Sequence, residues 1–195
     1  MQVIGVTGGV GSGKSTITNI LKDKYGIYLI DTDKIAHLLM KKGEISYNLI
    51  VEYFGPEILD NEGNINRSYL GDMVYKDRKE VEKLNSFTHP YVMERVKEII
   101  EEKQKANFNY VCVETALPVE AKLKSICHQI WYVYTPVEIR RKRLKESRNY
   151  SDEKIDHIMK QQLSDKEYMD YSTHVIYNVS SKDNLIRQIE EKLKE

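Results

Sequence analysis

Cysteine is scarce in this chain: of 195 residues only Cys112 and Cys127 carry a thiol. Two thiols cannot staple a small secreted scaffold, and Cys112 falls in an apolar strand-like run, so both read as reduced packing residues. His128 follows Cys127, but no second Cys/His pair stands at ligand spacing, which argues against a protein zinc site. An excess of one charge is missing too. Thirty basic and thirty acidic residues cancel, leaving no overall basic field to recruit nucleic acid or an anionic membrane. The apolar runs are strand-sized, so neither a transmembrane span nor a cleavable signal is expected, and the expected compartment is the cytoplasm. No internal repeat or low-complexity linker interrupts the chain, whose length suits one body with a substantial core.

What is present is concentrated near the start. The apolar, β-branched run Val3-Ile4-Gly5-Val6-Thr7 breaks into Gly8-Gly9-Val10-Gly11-Ser12-Gly13-Lys14-Ser15-Thr16, and a helical pattern follows from Ile17. Gly8 through Ser15 fits the spacing G-x-x-x-x-G-K-S. Glycines let a backbone wrap a phosphate closely with its N–H groups, so the loop reads as an anion nest for a nucleoside triphosphate. Lys14 would place an ammonium between the terminal phosphates, Ser15 a hydroxyl on Mg²⁺, and the helix its positive dipole end on the same charge.

Further along, Gly26-Ile27-Tyr28-Leu29-Ile30-Asp31 predicts a second strand, delivering Asp31 and Asp33 to the carboxyl edge of an open sheet. One of them could simply cap the following helix; two acids beside a triphosphate point instead to a metal or a substrate hydroxyl. Residues 44–105 are mainly helical, with a break at Phe87-Thr88-His89-Pro90, where His89 either contacts substrate phosphate or caps a helix. Asn109–Glu114, Gln129–Tyr134 and His174–Val179 predict three more strands, and Asn184–Leu193 an amphipathic terminal helix. Thr135-Pro136 opens a helix in which Arg140, Arg141, Lys142, Arg143, Lys145 and Arg148 fall within nine residues. Such a run is either a solvated helix face or a cationic lid that neutralises a phosphoryl group in transit. A further helix is expected from Ser151 through Leu163. Alternating strands and helices over the whole length predict an α/β fold: three α/β/α layers around a five-stranded parallel sheet.

Taken in order, these residues resemble the dephospho-coenzyme A kinase family over nearly the whole chain. Thr7 to Thr16 is close to that family's phosphate loop, Asp31-Thr32-Asp33-Lys34-Ile35-Ala36 is similar to its D-A-D-x-I-A segment, and His89-Pro90 matches its H-P motif. Gln162 stands for its lid-helix glutamine and Ile176-Tyr177-Asn178 for its I-x-N near the last strand. Where the family has P-L-L-x-E, this chain has Ala116-Leu117-Pro118-Val119-Glu120; the lid Arg-Asp pair is Ser147-Arg148-Asn149 here, and Ser172-Thr173 replaces an Ala-Asp. The resemblance implies a P-loop kinase with core segments at about 1–33, 106–139 and 172–195, a helical acceptor-binding region at about 34–105 and a lid at about 140–171. It implies transfer of the γ-phosphoryl of ATP to the ribose 3′-hydroxyl of dephospho-CoA, with Mg²⁺ accompanying the nucleotide. Gly8, Gly9, Gly11, Ser12, Gly13, Lys14, Ser15 and Thr16 would bind ATP, and Ser15 would ligate the metal. Asp33 would take the acceptor's proton, and Asp31 would assist through metal-bound water. Arg143 and Arg148, with Arg140 in reserve, would close over the phosphates, and Asp31, Asp33, His89, Leu117 and Glu120 would bind the acceptor.

Two other classes share the loop: a kinase of another small metabolite or of a nucleoside monophosphate, and a non-catalytic, regulatory NTP-binding module. The chain has no Asn-Lys-x-Asp stretch to read guanine, and its arginine run fits transfer better than signalling.

Overall fold

The computed structural model describes residues 1–74, 77–118 and 122–195, which divide into two compact units, 1–30 with 100–195 and 31–99. The sheet contains β1 (Gln2–Thr7), β2 (Tyr28–Asp31), β3 (Tyr110–Glu114), β4 (Gln129–Tyr134) and β5 (His174–Tyr177), all parallel, in the order β2-β3-β1-β4-β5. The middle strand is therefore the one that feeds the glycine loop. Pairing of Val6 with both Glu114 and Trp131 sets the register: β1 and β3 end within one residue of each other, and β4 runs two residues past the partner of Thr7 at the same edge. Parallel strands covered on both faces must be apolar nearly throughout. Val3 to Val6, Val111 to Val113 and Ile130 to Val133 meet that demand.

Alternation along β1 separates the two faces. Ile4 and Val6 pack with Cys112, Trp131 and Val133 against Ile17, Ile20 and Leu21 of α1 (Lys14–Tyr25) and Leu185 and Ile189 of the terminal helix (Lys182–Leu193). Each such buried aliphatic side chain contributes about 1.5–3 kcal/mol relative to leaving it in water. On the other face, Gly5 lets Leu123 and Cys127, around the short helix Leu123–Ile126, approach the strand closely. The predicted three-layer arrangement is thus observed. Both cysteines are free; burial pushes the Cys127 thiol up to about 12 and the Cys112 thiol well above its usual range, so neither is a thiolate near neutrality.

The second unit is helical. It begins with α2 (Thr32–Leu39) and continues through α3 (Ile45–Phe54), α4 (Arg67–Val74), α5 (Arg78–Ser86) and most of α6 (His89–Lys105). Tyr47, Ile50, Phe54, Ile58, Ile65, Leu70 and Val74 form its core. The expected break falls at Phe87-Thr88, and His89 is already the first residue of α6, because a proline one position further on is tolerated in a first turn.

After the short helix at 123–126, here α7, come α8 (Val137–Arg148), α9 (Asp152–Lys160) and α10 (Asp165–Tyr171), with the terminal helix as α11. The single helix expected from Ser151 to Leu163 ends earlier, at Lys160, and a new one starts at Asp165. Ser164 fixes the new start: it accepts from the Glu167 amide while the Glu167 carboxylate accepts from the Ser164 amide, a reciprocal cap that pins a helix N-terminus. Among the described residues no helix is long and apolar enough to cross a membrane.

Candidate active site

The loop between β1 and α1 adopts a conformation that side chains resist. Gly8, Gly11 and Gly13 have φ of 152°, 76° and 89°, and Gly13 is the left-handed residue from which α1 starts without a side-chain cap. The first turn of α1 has no acidic residue to neutralise its amide end. Lys14 Nζ folds back to donate to the Gly8 carbonyl at 2.9 Å, which sets the ammonium over the loop.

Side chains from far along the sequence fix this loop. The Ser12 carbonyl accepts from Thr135 Oγ1 at 2.9 Å and from Asn178 Nδ2 at 2.8 Å, just beyond the ends of β4 and β5. Arg143 reaches the Gly11 and Ser12 carbonyls at 3.4 Å and the Asn178 carbonyl at 3.3 Å. The Val10 amide donates to Gln162 Oε1 at 2.9 Å. On the opposite flank, Glu114 at the end of β3 accepts from Thr18 Oγ1 at 2.7 Å and lies 3.4 Å from Ser15 Oγ. Hydroxyl and carboxylate oxygens side by side are hard donors of the kind Mg²⁺ takes. Among the described residues no group of three or more His, Cys, Asp or Glu could hold a metal unaided.

The remaining candidates lie elsewhere in the chain. Arg148 is exposed at the last position of α8, its guanidinium 5.9 Å from the Tyr150 ring centre. Leu117 is exposed after β3, its amide held by Thr115 Oγ1. Glu120 lies outside the described residues. In the second unit, Asp31 caps α2 by accepting from the Lys34 amide at 3.0 Å and pairs with the Lys34 ammonium at 3.3 Å. Asp33 is exposed in the first turn of that helix, and His89 is half-buried at the start of α6. Sequence reasoning gave no role to Glu114 or Thr135, and it took Asn178 and Gln162 only as points of resemblance. Their positions at or one residue past a strand end, or two residues past a helix end, were the available signal.

Comparison with known proteins narrows the field. The sequence pattern of the dephospho-CoA kinase family matches residues 2–184. The chain belongs to that family. A dephospho-CoA kinase from Carboxydothermus hydrogenoformans is 33% identical over 189 residues, covering 97% of this chain and 91% of that protein. Among solved structures, a protein from Thermus thermophilus superposes with a TM-score of 0.83 at 26% identity, covering 99% of this chain and 96% of that one. The dephospho-CoA kinase of Campylobacter jejuni gives 0.72 at 26% identity, covering 100% and 98%. Family membership is therefore carried by the full length of the chain, beyond the loop that all P-loop kinases share.

Proposed function

We infer that this chain is a dephospho-CoA kinase, transferring the γ-phosphoryl of ATP to the ribose 3′-hydroxyl of dephospho-CoA to give CoA and ADP, the last step of coenzyme A biosynthesis. The observation that carries the reading is the braced glycine loop at the start of α1, in a chain that matches the family over residues 2–184. In the transfer, the acceptor oxygen bonds to the γ-phosphorus as the bond to the β–γ bridging oxygen breaks, and ADP leaves with that electron pair. The loop amides and Lys14 bind the β- and γ-phosphates and take up the charge that develops on the leaving oxygen. Ser15, supported by Glu114, is the proposed holder of Mg²⁺, with Asp31 assisting through water. Bound there with the nucleotide, the ion would supply further neutralisation of phosphate charge. Asp33 receives the hydroxyl proton, and Arg143 and Arg148 close over the phosphates and exclude water, a competing acceptor. His89, Leu117 and Glu120 are proposed to bind dephospho-CoA, and the proposed compartment is the cytoplasm.

A coupled ADP-release assay tests this reading. Turnover should require dephospho-CoA and Mg²⁺ together and should not be matched by nucleoside monophosphates or other small-metabolite alcohols. Faster turnover with one of those acceptors would move the chain to another P-loop kinase activity. Nucleotide binding without any transfer would make it a regulatory module.

A further inference from the structure

The loop is accompanied by a cation that lies outside the glycine motif. Arg140, in the first turn of α8, is 7% exposed, and its guanidinium presses on Gly9 so closely that a methyl group there would collide with Nη1. Gln162 Oε1, which accepts from Val10, borders the same spot. A buried guanidinium requires compensation, and in a purely structural ion pair it would be met by a short, forked contact. Here the contact is long: Nη2 stands 3.6 Å from Asp165 Oδ1, past hydrogen-bond length, and Nε has no hydrogen-bond partner among the described residues. The charge is held in place but under-satisfied, at the wall of an anion nest.

Asp165 is itself held from two sides. Its Oδ1 accepts from the Tyr132 hydroxyl at 2.6 Å, and it is the first residue of α10, where a helix favours an anion. The Tyr132 ring stacks on Tyr168 at 4.9 Å with the planes 5° apart, and the Tyr168 hydroxyl donates to the Ala116 carbonyl. Burial first, then the bond to Asp165, pushes the Tyr132 hydroxyl well above its usual range, so it remains a donor.

We propose that Arg140 is a standing anion-binding residue of the phosphate loop, seated against Gly9 to meet the triphosphate, and that Asp165 and Tyr132 are the positioning residues that keep it there. A nucleotide phosphate completes the coordination that the protein leaves unfinished. The cost of ordering the arginine is met on folding, when α8 and α10 close on β4, instead of on binding. The inference rests on the loop taking a triphosphate and is independent of the acceptor.

The test combines equilibrium binding of a fluorescent ATP analogue with steady-state kinetics on dephospho-CoA and thermal unfolding. Arg140→Gln should weaken nucleotide binding about tenfold or more, the loss of a charge-assisted contact, and Asp165→Asn should follow at about fivefold. Tyr132→Phe keeps the ring stack and should give about a twofold to threefold loss. In all three the KM for dephospho-CoA should stay unchanged. The double variant R140Q/D165N should bind no more weakly than R140Q alone, because Asp165 acts only through Arg140. Additive losses in the double variant would overturn the proposal. So would a D165N protein with unchanged nucleotide affinity, whether or not its melting temperature or active fraction falls. If D165N does not fold, Y132F decides by the same affinity measurement. Nucleotide binding that responds as stated, in a protein that fails to phosphorylate dephospho-CoA, would sink the acceptor assignment and leave this one standing.

Discussion

The two units hold their chemistry-bearing residues in different ways. In the unit of residues 1–30 and 100–195, the loop that faces phosphate is braced by side chains 123 to 166 residues away: Thr135, Asn178, Gln162 and Arg143. In the unit of residues 31–99, Asp31 is tied locally, as are other helix- and turn-capping acids of that unit. Asp31 bonds three residues on, Asp60 two and four residues on, and Asp77 two residues on. A phosphate nest must present its amides at fixed angles before ligand arrives, so it is over-determined by non-local bonds. Helix caps leave the neighbouring side chain free of that demand, and Asp33 accordingly stands exposed beside its capping neighbour. The first region should therefore report mutations through nucleotide binding and stability, the second through the chemical step.

The sharpest way to break that contrast is at Lys14, which belongs to the braced region yet adds little packing. Lys14→Ala should lower kcat/KM by about a thousandfold, because an ammonium on the transferring phosphates is lost. The unfolding midpoint, read by circular dichroism, should stay close to that of the parent. A large fall in the midpoint would mean that the Lys14 bond to Gly8 braces the loop and that its chemical role has been overstated.

Asp33→Asn probes the other side. It preserves size and removes the proton acceptor, so kcat should fall about a hundredfold or more with little change in either KM. Initial rates over both substrates check this. A rise in the dephospho-CoA KM at constant kcat would convert Asp33 from a base into a binding residue.

Arg148→Ala should have a smaller effect, about tenfold in kcat, with no change in stability, since this arginine is exposed and touches only the Tyr150 ring among the contacts described. Arg143→Ala should differ from it by raising the ATP KM as well, because Arg143 also holds the Gly11 and Ser12 carbonyls. Equal responses in the two variants would erase the distinction between a braced and an unbraced arginine.

Legibility in the sequence followed the same division. The strand, glycine loop and helix could be read directly because the motif is local and each glycine has a backbone reason to be there. The sheet was legible because buried parallel strands are continuous apolar runs. Three things were not. The helix Asp165–Tyr171 lies beyond the helix expected to end at Leu163, and its start is fixed by a reciprocal cap between Ser164 and Glu167. Glu114 could be placed at the sheet edge, but its pairing with Ser15 and Thr18 depends on β3 lying next to β1, a fact of topology. The Arg140–Asp165–Tyr132 chain joins three elements, α8, α10 and β4, and no spacing rule within one segment announces it.

Asn178 ties the loop to two of its braces at once: its side chain donates to the Ser12 carbonyl and its own carbonyl accepts from Thr135 and Arg143. A methyl group on Gly13 would also collide with Asn178 Nδ2, so the side chain fills the space behind the loop's last glycine. Asn178→Ala removes one donor while Thr135 and Arg143 still reach the Ser12 oxygen, so the loss should be partial: about 1–2 kcal/mol, or roughly 3–6 °C in the unfolding midpoint. The ATP KM should rise a few-fold and the dephospho-CoA KM should hold. Asn178→Asp keeps the volume but turns an acceptor toward the Ser12 carbonyl, so it should be worse than alanine in both readouts. Aspartate matching asparagine would show that packing behind Gly13, and not the hydrogen bond, is what braces the loop.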